Sequence, residues 1–269
     1  MRAFTLIALV PFALGISQHP MLNLDCTKYP GPCNNDCYAA YVANKPLILN
    51  YNGPDGKSGA RRKAAGCVSP SPCRNDKMKK QSKDDDTCDE YPYASTKEGG
   101  TGAIIRCTNG AENSREGTDL SSFFRSTCGN KPCTFRVNFG NPGGGGSPYC
   151  LNGNSANDGY QYSFKGGGKY DLASRDFDDI EDSPLGLHEP DPADFFHPHL
   201  RREFLLEDGS RTVLSSRDQT TSYNDTIFYS LRDGEVVETR AVKELLGEEK
   251  SPELQHPSLR RKRALQFAS

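Results

Sequence analysis

No histidine lies between Cys26 and Gly168; the five in the chain are His19, His188, His197, His199 and His256. A catalytic centre inside that span has no imidazole to act as general base, so Ser-His and Cys-His mechanisms are excluded there. No cysteine follows Cys150, and tryptophan is absent altogether. After the N-terminus no run is long and apolar enough for a membrane helix.

The apolar run that does occur, FTLIALVPFALGI behind Arg2, is too short to span a bilayer. With the small residues of GIS it reads as a signal peptide over 1–17, cleaved after Ser17. Ten cysteines fall between Cys26 and Cys150. An even number behind such a leader predicts a disulfide framework of a secreted, extracellular protein, with the pairing left open. A zinc reading of Cys67 with Cys73, or Cys128 with Cys133, is weaker, because the spacings are wide and no histidine is near.

The cysteines set the expected organisation. A stapled domain over 18–168 is followed by an acidic, Pro-rich linker over 169–202 and an extension over 203–269. The net charge is +4 over 18–168 and −7 over 169–269. A basic half beside an acidic half suits an anionic ligand for the first and a shield or spacer for the second, although both can be ordinary solvated surfaces.

A short helix is expected over 36–42, and another in ARRKAAGC. LILNY, GAIIRC, CTFRVNF and YQYSF read as strands. ENSREGTDLSSFFRST reads as a helix, with Leu120, Phe123 and Phe124 on one face. RNDKMKKQSKDDD reads as an exposed loop. The result is an α+β domain. Further on, Asp-Gly pairs between apolar runs predict two β-hairpins within 203–246. RRKR at 260–263 offers a processing site, and LRR at 200–202 a weaker one. Released there, the acidic segment would act as a pro-segment over a basic cleft; a plain solvated extension is the other reading.

Without imidazole or a free thiol, carboxylate chemistry remains, with or without a metal. CDEYPYASTKEGG (88–100) and GAENSREGTDL (110–120) concentrate Asp, Glu and Asn. Such oxygen donors suit a hard divalent ion, and a carboxylate can take a proton from an attacking water. Each stretch also has a purely structural reading, as a turn cap or as acids at a helix N-terminus.

Together, CDEYPYASTKEGG, AENSREG and LSSFF resemble the NucA/NucB family of secreted deoxyribonucleases, particularly its fungal members. The resemblance is strongest over 88–124, looser over 26–168, and does not reach 169–269. It implies a small disulfide-stapled, ββα-metal-like nuclease domain with an acidic, partly disordered C-terminal extension. By position it implies Asp89 as general base and Glu90 as a second catalytic carboxylate. Asn113 becomes a metal ligand, helped by Glu112 or Glu116; the family often has Gln at the position of Glu116. The cofactor implied is a divalent ion, Mg or Mn. Arg106 and Arg115 are candidate phosphate contacts, with surface ion pairing as the alternative. Tyr91, Pro92, Glu98, Gly99 and Gly100 shape the turn. The expected activity is hydrolysis of DNA phosphodiesters with little sequence preference. The rival is a non-catalytic effector or toxin-like module on the same fold.

Overall fold

In the computed structural model, residues 19–142, 146–151, 156–174, 201–215, 223, 226–232, 235–246 and 249–250 are described. The leader, residues 175–200 of the expected 169–202 linker, and RRKR lie outside these residues; the linker's two ends fall in strands, at 170–172 and 201–202.

Two sheets carry the architecture. In the larger, β1 (Met21–Asp25) lies parallel to both β5 (Cys133–Gly140) and β10 (Ile227–Arg232). From β10 the pairing runs antiparallel through β11 (Glu235–Leu245), β8 (Arg201–Leu206) and β9 (Arg211–Ser215), and back to β5. The β1–β5 pairing closes these six strands into a barrel, with β2 (Ile48–Tyr51) added on β5. The smaller sheet is antiparallel, in the order β3 (Thr87–Tyr91), β4 (Ile104–Thr108), β6 (Gln161–Phe164) and β7 (Tyr170–Leu172). The helices are α1 (Pro30–Tyr41), α2 (Ser58–Ala65), α3 (Gly110–Ser126) and α4 (Pro148–Leu151).

The α+β class therefore holds, but the compact ββα-metal-like architecture does not, because a closed six-stranded barrel dominates the fold. The segment read as an extension supplies four of its strands. Both expected hairpins form, β8–β9 turning at Asp208-Gly209 and β10–β11 pairing Arg232 with Glu235. Gly209 sits at φ +81°, a conformation that glycine adopts without a steric penalty. Arg201-Arg202 lies inside β8. Arg202 is buried, forks onto Glu244 at 2.9 and 2.6 Å, and lies over the rings of Phe204 and Tyr223. A protease reaches that bond only if the barrel opens.

Strand alternation divides the core. Met21 joins Phe204, Leu206, Leu214, Phe228 and Ala241 in a cluster drawn from barrel strands. Leu22 and Leu24 point the other way, into the main core with Tyr38, Tyr91, Ile104, Phe123, Phe135 and Phe139. That core packs α1 and α3 between the barrel and the small sheet. α1 begins six residues earlier than the sequence indicated, with a proline in its first turn, where its missing N–H costs nothing. All ten cysteines pair, as Cys26–Cys33, Cys37–Cys150, Cys67–Cys88, Cys73–Cys107 and Cys128–Cys133. This removes the zinc reading and fits an oxidising compartment. Among the described residues no helix is long and apolar enough to cross a membrane.

Candidate active site

The hairpin β3–β4 runs almost directly into α3, whose first turn is capped by Asn109 Oδ1 accepting from Ala111 N at 2.9 Å. This connection sets α3 beside β3. Asn113 and Glu116, three residues apart on the helix, come to one face. Asn113 Nδ2 donates to Cys88 O at 3.2 Å and to Thr87 Oγ1 at 3.3 Å. With its amide nitrogen committed to β3, its carbonyl oxygen is the atom left to serve as a ligand.

Alternation along β3 sends Asp89 and Glu90 to opposite faces. Asp89 turns toward α1, where Asn35 Nδ2 donates to its Oδ2 at 3.0 Å. Glu90 turns toward α2, where Arg62 Nη2 stands 3.4 Å from its Oε2. Both carboxyls are buried.

Asp89 belongs to a buried trio with Asp36 of α1 and Glu116 of α3. Burial raises all three carboxyls above the usual range. For Asp36 and Glu116 the neighbouring acids add to the rise, and both end well above it. For Asp89 the Asn35 hydrogen bond and the charge of Arg62 oppose it. Like charges this close in a low dielectric cannot all ionise, so the trio holds protons between its members. Tyr93 OH donates to Asp36 Oδ2 at 2.5 Å. Asp36 Oδ1, Glu116 Oε1 and Asn35 Oδ1 are buried without a hydrogen-bond partner. Burial pushes Glu90 up to about 8, against the pull of Arg62.

A cleft of about 480 Å³ opens over this group. Asp89, Glu90, Asn113 and Glu116 line it, Arg61 and Arg62 stand on its α2 side, and Tyr51, Tyr93 and Phe124 supply ring surface. Asp36 sits behind the lining.

Other expected residues lie elsewhere. Glu112 accepts from Gly31 N at 2.9 Å, holding the start of α1 rather than facing the cleft. Arg106 is buried and spends its guanidinium on Asp158 at 3.1 Å and Gln81 at 2.6 Å, over the Tyr160 ring. Arg115 is exposed and reaches Lys28 O at 3.4 Å. Neither arginine lines the cleft. Tyr91 OH donates to Pro46 O at 2.8 Å, and the Tyr91-Pro92 peptide is cis. Glu98 accepts from Asn50 N and Nδ2 at 2.9 and 2.7 Å, so it ties the turn to β2. At Gly99 a Cβ would lie 2.1 Å from Tyr93 O, so no side chain fits there, and Gly100 has φ +108°.

Four residues of the site were not singled out from the sequence: Asn35, Asp36, Arg61 and Arg62. The basic run ARRK marked the arginines. Nothing marked Asn35 and Asp36, which lie in a cysteine-rich stretch with no catalytic pattern.

Among the described residues no three His, Cys, Asp or Glu side chains form a ready-made metal cage. Magnesium does not need one, because it keeps several waters and takes one or two protein oxygens together with substrate phosphate. The carbonyl oxygen of Asn113 and the carboxyl group of Glu116, which shares a proton with Asp36 and Asp89 until a cation displaces it, fit that requirement: both residues line the cleft and both offer hard oxygens.

Residues 36–138 match the family model described as Deoxyribonuclease NucA/NucB. The match begins at Asp36 and takes in β3, β4 and α3, and so every residue that lines the cleft. No curated protein and no solved structure matches the chain significantly.

Proposed function

We propose that the chain is a secreted, metal-dependent endodeoxyribonuclease of the NucA/NucB type, and that Asp89 is its general base. One observation carries the reading: Asp89 of β3 and Asn113 and Glu116 of α3 line one cleft within the region that matches the deoxyribonuclease model.

Asp89 is oriented by Asn35 and raised by burial, which brings a carboxylate nearer the working pH of a base. In the proposed reaction it takes a proton from the attacking water. Glu90, from the neighbouring strand position, is the second carboxylate at the cleft. Asn113 and Glu116 would hold the divalent ion, Mg or Mn. Bound there, the ion would polarise the phosphate and stabilise the leaving oxygen. Glu112 is left out of the proposed ligand set, because its carboxylate accepts from Gly31 N at the start of α1. The leader-like N-terminus and the complete pairing of the cysteines support secretion.

Purified protein incubated with supercoiled plasmid in magnesium or manganese should nick and then linearise it, and EDTA should stop both. Binding without cutting in either metal would support the non-catalytic module instead.

A further inference from the structure

We infer that Arg62 is the residue through which the cleft holds a phosphate of the DNA backbone. This rests on the deoxyribonuclease reading above and supplies the phosphate contact that the placement of Arg106 and Arg115 leaves unfilled.

Arg61 and Arg62 are the cations among the described residues that line the cleft. Arg61 is committed. Its Nη1 and Nη2 fork onto Asp55 at 2.9 and 3.2 Å, and its Nε donates to Ala94 O at 2.5 Å. Its charge is matched and its planar face is fixed, so a phosphate would have to displace a bidentate carboxylate to reach it.

Arg62 is anchored but not used up. Its Nη2 donates to Cys88 O at 2.7 Å and lies 3.4 Å from Glu90 Oε2. Within the described residues its Nε and Nη1 make no hydrogen bond. Its side chain is 47% exposed, while that of Glu90 is 8% exposed. The guanidinium therefore reaches past the buried carboxyl into solvent, with donors left for an acceptor in the cleft.

The carbonyl that holds Arg62 is informative. Cys88 O accepts from Arg62 on one side and from Asn113 Nδ2, at 3.2 Å, on the other. Two side chains from two helices are thus fixed to the carbonyl immediately before Asp89. The Cys67–Cys88 disulfide ties the residue two past the end of α2 to the same strand position, so α2 cannot drift from β3 without breaking a covalent link. A phosphate close enough to Asn113 for a shared ion, and to Asp89 for its attacking water, lies within reach of Arg62. Preorganised donors of this kind are the ones that act on charge developing at a phosphoryl group. Arginine suits the role because its planar fork matches two phosphate oxygens.

The test uses the full-length protein and a double-stranded oligonucleotide. In an Asp89→Asn background, where cutting is suppressed, affinity is measured across a salt series with Arg62, Arg62→Ala, Arg62→Lys and Lys63→Ala. Loss of one phosphate contact should lower the slope of log affinity against log salt by about 0.9. Arg62→Ala should show this drop. Arg62→Lys should keep most of the slope, and so should Lys63→Ala, which removes an equal charge from the same helix outside the cleft lining. In the cutting-competent protein, Arg62→Ala should lose about 100-fold in kcat/KM, Arg62→Lys should lose rate while binding, and Lys63→Ala should stay near wild type. Circular dichroism and melting curves establish that each variant is folded.

An unchanged slope in folded Arg62→Ala, or a drop equal to that of Lys63→Ala, overturns the assignment. A protein that binds but never cuts refutes the nuclease reading and leaves the slope to decide Arg62. A protein that neither binds nor cuts refutes both.

Discussion

Asn35 Nδ2 donates to Asp89 Oδ2 at 3.0 Å, from α1 to β3, with both side chains buried. The bond links the helix that starts the matched region to the strand that carries the proposed base. Asn35 also donates to Ile104 O at 3.3 Å, so its amide is fixed by β4 as well. Replacing Asn35 with Ala should leave Asp89 present but unaimed. Misplacement of a reacting group by about 1 Å can cost roughly 100-fold in rate. The variant should show that order of loss in kcat, with KM for DNA little changed, in steady-state cleavage assays. A rate within twofold of wild type would remove Asn35 from the account.

Asn113 is tied to β3 by its nitrogen, and the proposed ligand is its oxygen. Asn113→Ala should raise the magnesium or manganese concentration needed for half-maximal cutting by at least about 10- to 100-fold, the range for losing a group that only supports a metal ligand. Glu112→Ala should leave that titration unchanged and lower thermal stability instead, because Glu112 holds the α1 start. A shift in the metal titration for Glu112→Ala would return that residue to the site.

Glu90 gives a pH signature. Its folded-state value is about 8, above its unfolded value near 4.5. A raised carboxyl stabilises the fold fully below the unfolded value and loses that contribution as pH rises through the folded one. Metal-free protein should therefore melt at lower temperature as pH rises from about 4.5 to 8, with part of the fall due to Glu90 and part to Asp36, Asp89 and Glu116, all shifted the same way. Glu90→Gln, which mimics the protonated acid, should flatten the Glu90 share: near-neutral at the acid end and stabilising at pH 8. Parallel melting-temperature curves for the two proteins would contradict the assignment.

The strands β8 to β11 close the barrel, so a chain ending at Gly168 leaves β1 without β10 and β5 without β9. It should fail to show a cooperative melt and should expose the apolar surface of Met21, whose buried cluster partners all lie on β8 to β11. The described residues of these strands do not line the cleft. A folded truncated form that cuts faster than the full chain would instead support an autoinhibitory tail.

What the sequence reveals here follows from what local chemistry decides. α3 was legible because Leu120, Phe123 and Phe124 fall on one face, and the C-terminal hairpins because Asp-Gly turns mark them. β3 is absent from the strands that the sequence suggests, since Asp, Glu and Pro disfavour strands; it is covered by α1 and α3 on one face and by the end of α2 on the other, which erases the apolar alternation. α1 is buried on nearly every side, so no amphipathic period shows its start. The barrel depends on parallel pairings between residues more than 100 positions apart, such as Asn23 with Asn138, and no local pattern records these. Asp89, Glu90, Asn113 and Glu116 were legible from their motif. Asn35, Asp36 and Arg62 reach the site only through tertiary packing.

The most direct test compares wild type with Asp89→Asn, measuring DNA affinity and single-turnover cleavage on the same samples in saturating magnesium. Loss of the base should slow cleavage by about 100- to 10,000-fold, with the affinity within a few-fold and the melting temperature no lower. Removing a raised, buried carboxylate relieves its repulsion with Asp36 and Glu116. Cleavage by Asp89→Asn at the wild-type rate would contradict the account.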